Sequence, residues 1–302
     1  MHPKAIRAIR DLALSFEKSD VQVAYELMEI AYKERPSGPL IKQKYLEYKE
    51  KLEKLKKPLS NEKLKELLET GEVVIIPVGF RCHTKMMIKN KLGYTQPSLP
   101  FDSGFFPPVS VASIFRNPEV SMSYDDESHA VCKKYEAFQD SERGKGIKFE
   151  TSSYDEINSL VKSVEGAEIN QYLDSTFGYY TLDKEHNFVL AHYNWHELAS
   201  DEKSKGIRVP EGNIPLINTM FNKRIERMLE MCVKAKHIFF VYLIQNGSYL
   251  KLDDTFYDLA DFSELKNVLD DKYNFQYSIL DLQNITSETI VGIYDEATGK
   301  VD

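Results

Sequence analysis

The chain has few cysteines, little glycine, one tryptophan and no long apolar run, and these shortages remove several classes of protein. Its 302 residues hold three cysteines, Cys82, Cys132 and Cys232, too few and too scattered for a disulfide framework. No CxxC or HExxH spacing occurs, so no metal is expected. No Walker A pattern and no GxGxxG follows an apolar run, so there is no sign of a phosphate cradle, and no cofactor is expected. The longest apolar runs, residues 73–78 and 238–244, fall far short of the roughly 20 residues that cross a bilayer. The opening segment MHPKAIRAIRDLALSF spreads Lys4, Arg7, Arg10 and Asp11 along its length, unlike a secretory leader. A cytoplasmic protein with reduced thiols and no membrane span is the expectation. Basic charge is also in the minority, with 39 Lys and Arg against 47 Asp and Glu and a net charge of −8. Such a surface repels polyanions, and no nucleic-acid partner is expected. Lys85, Lys89 and Lys91 read as a solvated helix face.

What is present is a globular composition, 42% hydrophobic and 28% charged, able to bury a full core. Residues 1–58 read as a helical segment. Residues 1–57 hold a single glycine and are rich in Ala, Leu, Glu and Lys. Three helices fit, at about residues 3–17, after the capping signal Ser19-Asp20, and at residues 40–56. The spacing of Ala24, Met28, Ala31 and Pro36 resembles the second helix of a tetratricopeptide repeat, in which small residues let a paired helix approach. Residues 1–58 are therefore a candidate surface for a protein partner or for self-association. Lys56-Lys57-Pro58 marks a junction, and a short helix follows at residues 61–69.

From residue 70 to 302 strands and helices alternate irregularly, indicating a second, α+β domain. Val73-Val74-Ile75-Ile76-Pro77-Val78 between Gly71 and Gly79 reads as a strand buried on both faces. A helix at residues 82–92 ends at Gly93. Residues 96–108 hold four prolines and read as an ordered loop, and residues 144–146 as a turn. Further strands fit residues 147–150, 179–182, 188–192, 238–244, 276–282 and 289–294. Helices fit residues 154–164, 217–235 and 262–273.

Cys82 falls at the first turn of the helix after the strand at residues 73–78. A helix N-terminus offers unpaired N–H groups and the positive dipole end, which favour a thiolate and can hold an oxyanion. The plain alternative is a small residue closing a strand-helix turn. A thiolate nucleophile needs a histidine, and the seven histidines differ in setting. His2 is terminal, and His129, His186 and His237 flank turns or helix ends. His83 is adjacent to Cys82, but successive helix residues point about 100° apart. His192 and His196 remain, and His192 ends the run FVLAHYNW with Trp195 close behind. Asn246 in IQNGSY, or else Asp102, is the candidate to orient the imidazole. Asn246-Gly247 is equally an ordinary turn dipeptide. Cys132 and Cys232 read as packing residues in helical surroundings.

The segments GFRCHT, LPFDSGF, VLAHYN and FNKRIERMLEMCVKAKHIFFVYL together resemble the bacterial papain-like cysteine peptidase family DUF1796, over about residues 72–285. That resemblance implies a papain-like fold of mixed or antiparallel sheet with packed helices, with Cys82 as nucleophile and His192 as general base. It makes Asp102 a buried structural or site-lining carboxylate. Arg224 becomes an anchor between helix and site, or the holder of a carboxylate-bearing ligand. His83 and Trp195 join Arg224 as substrate-binding candidates. The chain departs from the family pattern at Ser103, where a tryptophan is usual, and at Tyr242, where a basic residue is expected. The expected activity is hydrolysis or acyl transfer on a peptide, amide or acyl substrate through a thioester. The alternatives are a non-catalytic interaction module using the helical segment and an acyltransferase of surface-polysaccharide type.

Overall fold

The computed structural model describes residues 2–133, 135–153, 155–156, 180–191, 197–198, 208–209, 213–243 and 247–299. The chain folds as two compact units, one of Met1–Glu66 with Ser287–Ile293 and one of Leu67–Thr286 with Tyr294–Asp302. The first unit holds helices α1 (Pro3–Phe16), α2 (Val21–Glu34) and most of α3 (Pro39–Thr70). Asp20 starts α2 by accepting the N–H groups of Gln22 and Val23 at 3.0 and 3.1 Å, as an N-cap carboxylate should. Ala24, Met28 and Ala31 are fully buried and pack with Ile6, Ala13, Ile41 and Tyr48. The two alanines are small enough to allow close helix approach, and Tyr45 stacks on Tyr25 and Tyr32. The break expected at residues 56–61 is absent, because the α3 backbone stays helical through Pro58 into the stretch read as a separate helix.

The second unit mixes α and β. Strand β1 (Val73–Gly79) lies parallel to β11 (His237–Leu243), which is also parallel to β14 (Tyr277–Asp281). Such a strand is covered on both faces, and Val73 to Val78 are all buried. Helix α4 (Arg81–Leu92) follows β1 and stops at Gly93, whose φ of 67° is the left-handed stop expected of glycine. A 3-10 turn (Pro100–Ser103) leads into β2 (Gly104–Phe105) and helix α5 (Pro108–Arg116).

Strands β3 (His129–Cys132), β4 (Glu136–Asp140), β5 (Gly144–Phe149), β6 (Thr151–Ser152), β7 (Tyr180–Asp183) and β8 (Phe188–Leu190) follow. Short strands β9 (Glu197–Leu198) and β10 (Arg208–Val209) form a separate pair. Helix α6 (Asn213–Lys234) precedes β11. Strands β12 (Tyr249–Leu252) and β13 (Thr255–Asp258) and helix α7 (Ser263–Val268) follow, and the chain order ends with helix α8 (Ser287–Thr298), whose residues Ser287–Ile293 belong to the first unit. One sheet runs β2-β8-β7-β3-β6, antiparallel throughout, and another β13-β12-β5-β4. Helix α6 buries Ile217, Phe221, Ile225, Met228 and Cys232 in the core that also holds Val74, Ile76 and Phe240. These recur at helical spacing and leave the opposite faces to solvent.

Several expectations change. Residues 289–294, with their β-branched run, lie in helix α8, where Ile290, Val291 and Tyr294 are buried. Residues 144–146 begin β5 rather than forming only a turn. Cys132 is on a strand, although Cys232 is on a helix as expected. His129, His186 and His237 flank turns or a helix end as expected, and all three are buried. No described helix is long and apolar enough to cross a membrane.

Candidate functional site

The buried strand β1 delivers the chain to α4 through Phe80. Phe80 makes an antiparallel bridge to Phe105 of β2, and Phe106 N–H donates to the Gly79 carbonyl at 3.2 Å. Gly79 has φ 110°, and a Cβ there would meet Leu243 O at 3.0 Å, so the end of β1 approaches β11 too closely for a larger residue. The N-cap residue Phe80 provides no side-chain hydrogen bond to the first turn of α4. Cys82 is the second residue of that turn and is exposed. The other two thiols are buried: burial pushes Cys232 up to about 12 and raises Cys132 as well. Buried apolar thiols of this kind are inert.

One turn after Cys82, Lys85 shares its helix face. Its Nζ lies 2.7 Å from Asp102 Oδ2 and within 3.3 and 3.4 Å of the Pro97 carbonyl and Ser98 Oγ. Lys85 therefore leaves the solvated face expected of it and neutralises a buried carboxylate. Asp102 is 4% exposed and also accepts the Leu99 N–H at 2.9 Å, while its Oδ1 has no hydrogen-bond partner among the described residues. Burial raises the Asp102 carboxyl above its ordinary range, against the opposing pull of Lys85, the Leu99 N–H and Arg224.

Arg224 reaches the same turn from α6. Its Nη1 donates to Ser103 Oγ at 3.1 Å, and its guanidinium lies 5.5 Å from the Phe221 ring centroid. Ser103 thus ties the turn to α6 through Arg224. The turn also meets β8: Ala191 N–H donates to Ser103 O at 3.1 Å, and Leu190 pairs with Gly104. The structure brings together Asp102, Arg224 and Lys85, and links the Cys82 turn by backbone to the end of β8. His83 is exposed on α4. His192, Trp195, His196 and Asn246 lie outside the described residues.

Sequence reasoning missed the contacts of Lys85 with Asp102 and Ser98. The available signal was helical spacing, since Lys85 is one turn from Cys82. His186 has a structural role, because its Nε2 donates to the Glu119 carbonyl at 2.8 Å and its Nδ1 lies 2.8 Å from Ser113 Oγ.

No family model, curated protein or solved structure matches this chain.

Proposed function

We propose that the protein is a papain-like cysteine hydrolase or acyltransferase in which Cys82 is the nucleophile and His192 the general base. The observation that carries this reading is the contrast among the three thiols: Cys82 alone is exposed, in the first turn of a helix without a side-chain cap, directly after a buried strand. In the proposed reaction the Cys82 sulfur attacks an acyl carbon. The N–H groups opening α4 receive the developing oxyanion. The leaving group departs with a proton from the His192 imidazolium, leaving a thioester for water or another acceptor to cleave. The backbone ladder from Phe80 to Phe105 and from Gly104 to Leu190 supports this pairing, because it ties the Cys82 turn to the segment entering His192. Asn246 or Asp102 would orient the imidazole, Trp195 and His83 would line the substrate, and residues 1–58 would dock a partner. The cytoplasm is the proposed location.

The test is iodoacetamide labelling across neutral pH, read at each cysteine by mass spectrometry, in the native protein and in His192→Ala. Cys82 should label far faster than Cys132 and Cys232 and lose much of that lead in the variant. Any hydrolytic or acyl-transfer activity should vanish in Cys82→Ala, with stability within about 0.5 kcal/mol of the parent because the side chain is exposed. Labelling of Cys82 that His192→Ala leaves unchanged, or full activity in Cys82→Ala, would remove the thiolate-imidazole mechanism.

A further inference from the structure

Beside the Asp102 turn, the outer face of α6 forms one wall of a cleft of about 530 Å³, lined by Ser98, Leu216, Thr219, Met220, Lys223, Arg224 and Arg227. The six α6 residues lie at helical spacing on one face, opposite the stripe that enters the core. Among the described lining residues three are cationic and none is acidic, in a chain whose net charge is −8. The rest of the lining is largely apolar, and Leu216 remains 59% exposed.

Two of the cations make hydrogen bonds to the proline-rich turn. Arg224 is pinned by Ser103 and lies beside Phe221, and Arg227 Nη1 donates to Ser98 O at 3.1 Å. A guanidinium has five N–H donors, and Arg227 uses one on Ser98. Lys223, Arg224 and Arg227 lie within little more than one turn, and all three line the cleft. Lys85, whose charge Asp102 already offsets, contacts Ser98 from the other side. The cleft wall is therefore one residue from the helix face that carries Cys82.

We propose that this cleft binds an amphipathic oxyanion, a carboxylate or phosphate on an aliphatic stem, and anchors the substrate of the Cys82 site by that charged group. The oxyanion would engage the Arg224 and Arg227 guanidinium groups, which match planar or tetrahedral oxyanions in a way an ammonium cannot. Lys223 adds a point charge at the rim. The stem would lie along Leu216, Met220 and the Thr219 methyl. Assigning the ligand as substrate rests on the reading of Cys82 as nucleophile, whereas the binding itself does not.

The experiment separates the two. The full chain carrying Cys82→Ala is titrated calorimetrically with octanoate, octyl phosphate and octanol. At least one anion should bind saturably, about tenfold or more tightly than octanol. Arg227→Gln and, separately, the exposed Lys223→Gln should each weaken it, the arginine change by about tenfold. The better of the two anions identifies the headgroup. Octanol binding as tightly as both anions, unchanged affinity in both variants, or no saturable anion binding up to about 10 mM would overturn the proposal. Anion binding without selective Cys82 labelling would keep the cleft and remove the nucleophile. Selective labelling without anion binding would do the reverse.

Discussion

At the scale of single residues, the pairing of Lys85 with Asp102 is the interaction most exposed to test. The Lys85 side chain is 22% exposed and that of Asp102 5%, so removing the lysine strands a carboxylate that water reaches poorly. Breaking such a pair is expensive even where forming it gained little. Lys85→Ala should therefore cost about 3 kcal/mol at neutral pH. The pH dependence has a definite sign. Burial already raises the Asp102 carboxyl in the native state, and Lys85 opposes that rise, so the variant raises it further. Between the unfolded carboxyl value, about 3.9, and the raised native value, the native state binds more protons than the unfolded state, and stability increases as pH falls. Urea unfolding should show a deficit that is largest at neutral pH and narrows in mild acid. A deficit independent of pH would mean that Asp102 stays ionised without its partner.

At the scale of elements, the parts legible in the sequence were those where one signal dominates. The β-branched run of β1, the Gly93 stop of α4 and the extent of α6 all fell close to expectation, as did the small-residue face of α2. Among the candidate site residues, Cys82 was legible from the strand-turn-helix pattern, whereas Arg224 and the site-lining role of Asp102 came from the family resemblance. The Lys85–Asp102 pair was not legible, because the contact spans a proline-rich turn without periodicity. Prolines misled in one direction: Pro58 read as a junction but lies within the helical backbone of α3, and Pro108 opens α5 at its first turn, where no N–H is needed, although it read as the end of a loop. The run TIVGIY looked like a strand, but Ile290, Val291 and Tyr294 bury along α8, and tertiary packing overrides β propensity. Strands β12 and β13 were missed altogether, although Gly247 was visible in its turn. That glycine is required twice over, since its φ is 119° and a Cβ would lie 2.0 Å from Lys145 O. Gly93 has φ 67° but open space around it. Gly93→Ala should cost about 1 kcal/mol through backbone strain alone. Gly247→Ala must also push the backbone of β5 away and should cost at least about 3 kcal/mol. Equal shifts in urea midpoint for the two variants would show that the loop before β12 yields freely.

At the scale of the whole molecule, the second unit carries two buried titratable groups that pull its acid stability in opposite directions. His129 on β3 and Asp183 on β7 are direct cross-strand partners, and both are almost fully buried. Burial lowers His129 to about 4, with smaller opposing pulls from Asp125 and Asp126 and a supporting push from Lys184. The unfolded imidazole takes its proton near 6.5, whereas the native one resists until about 4. The native state therefore loses about 3 kcal/mol as pH falls through that window. Asp183 has the reverse sign: burial raises its carboxyl, against the His186 N–H that it accepts at 2.7 Å. Its native form takes up a proton before the unfolded chain does, and stabilises the fold as pH falls toward the ordinary carboxylate range. The two effects offset each other in the parent, so its stability should vary little across mildly acidic pH on their account. His129→Leu should leave the Asp183 effect alone and make the protein gain relative to the parent on acidification. Asp183→Asn should leave the His129 effect alone and make it more acid-labile. Thermal unfolding of the three proteins at neutral and mildly acid pH checks both signs, and parallel shifts in all three would mean that this buried pair does not govern the acid response.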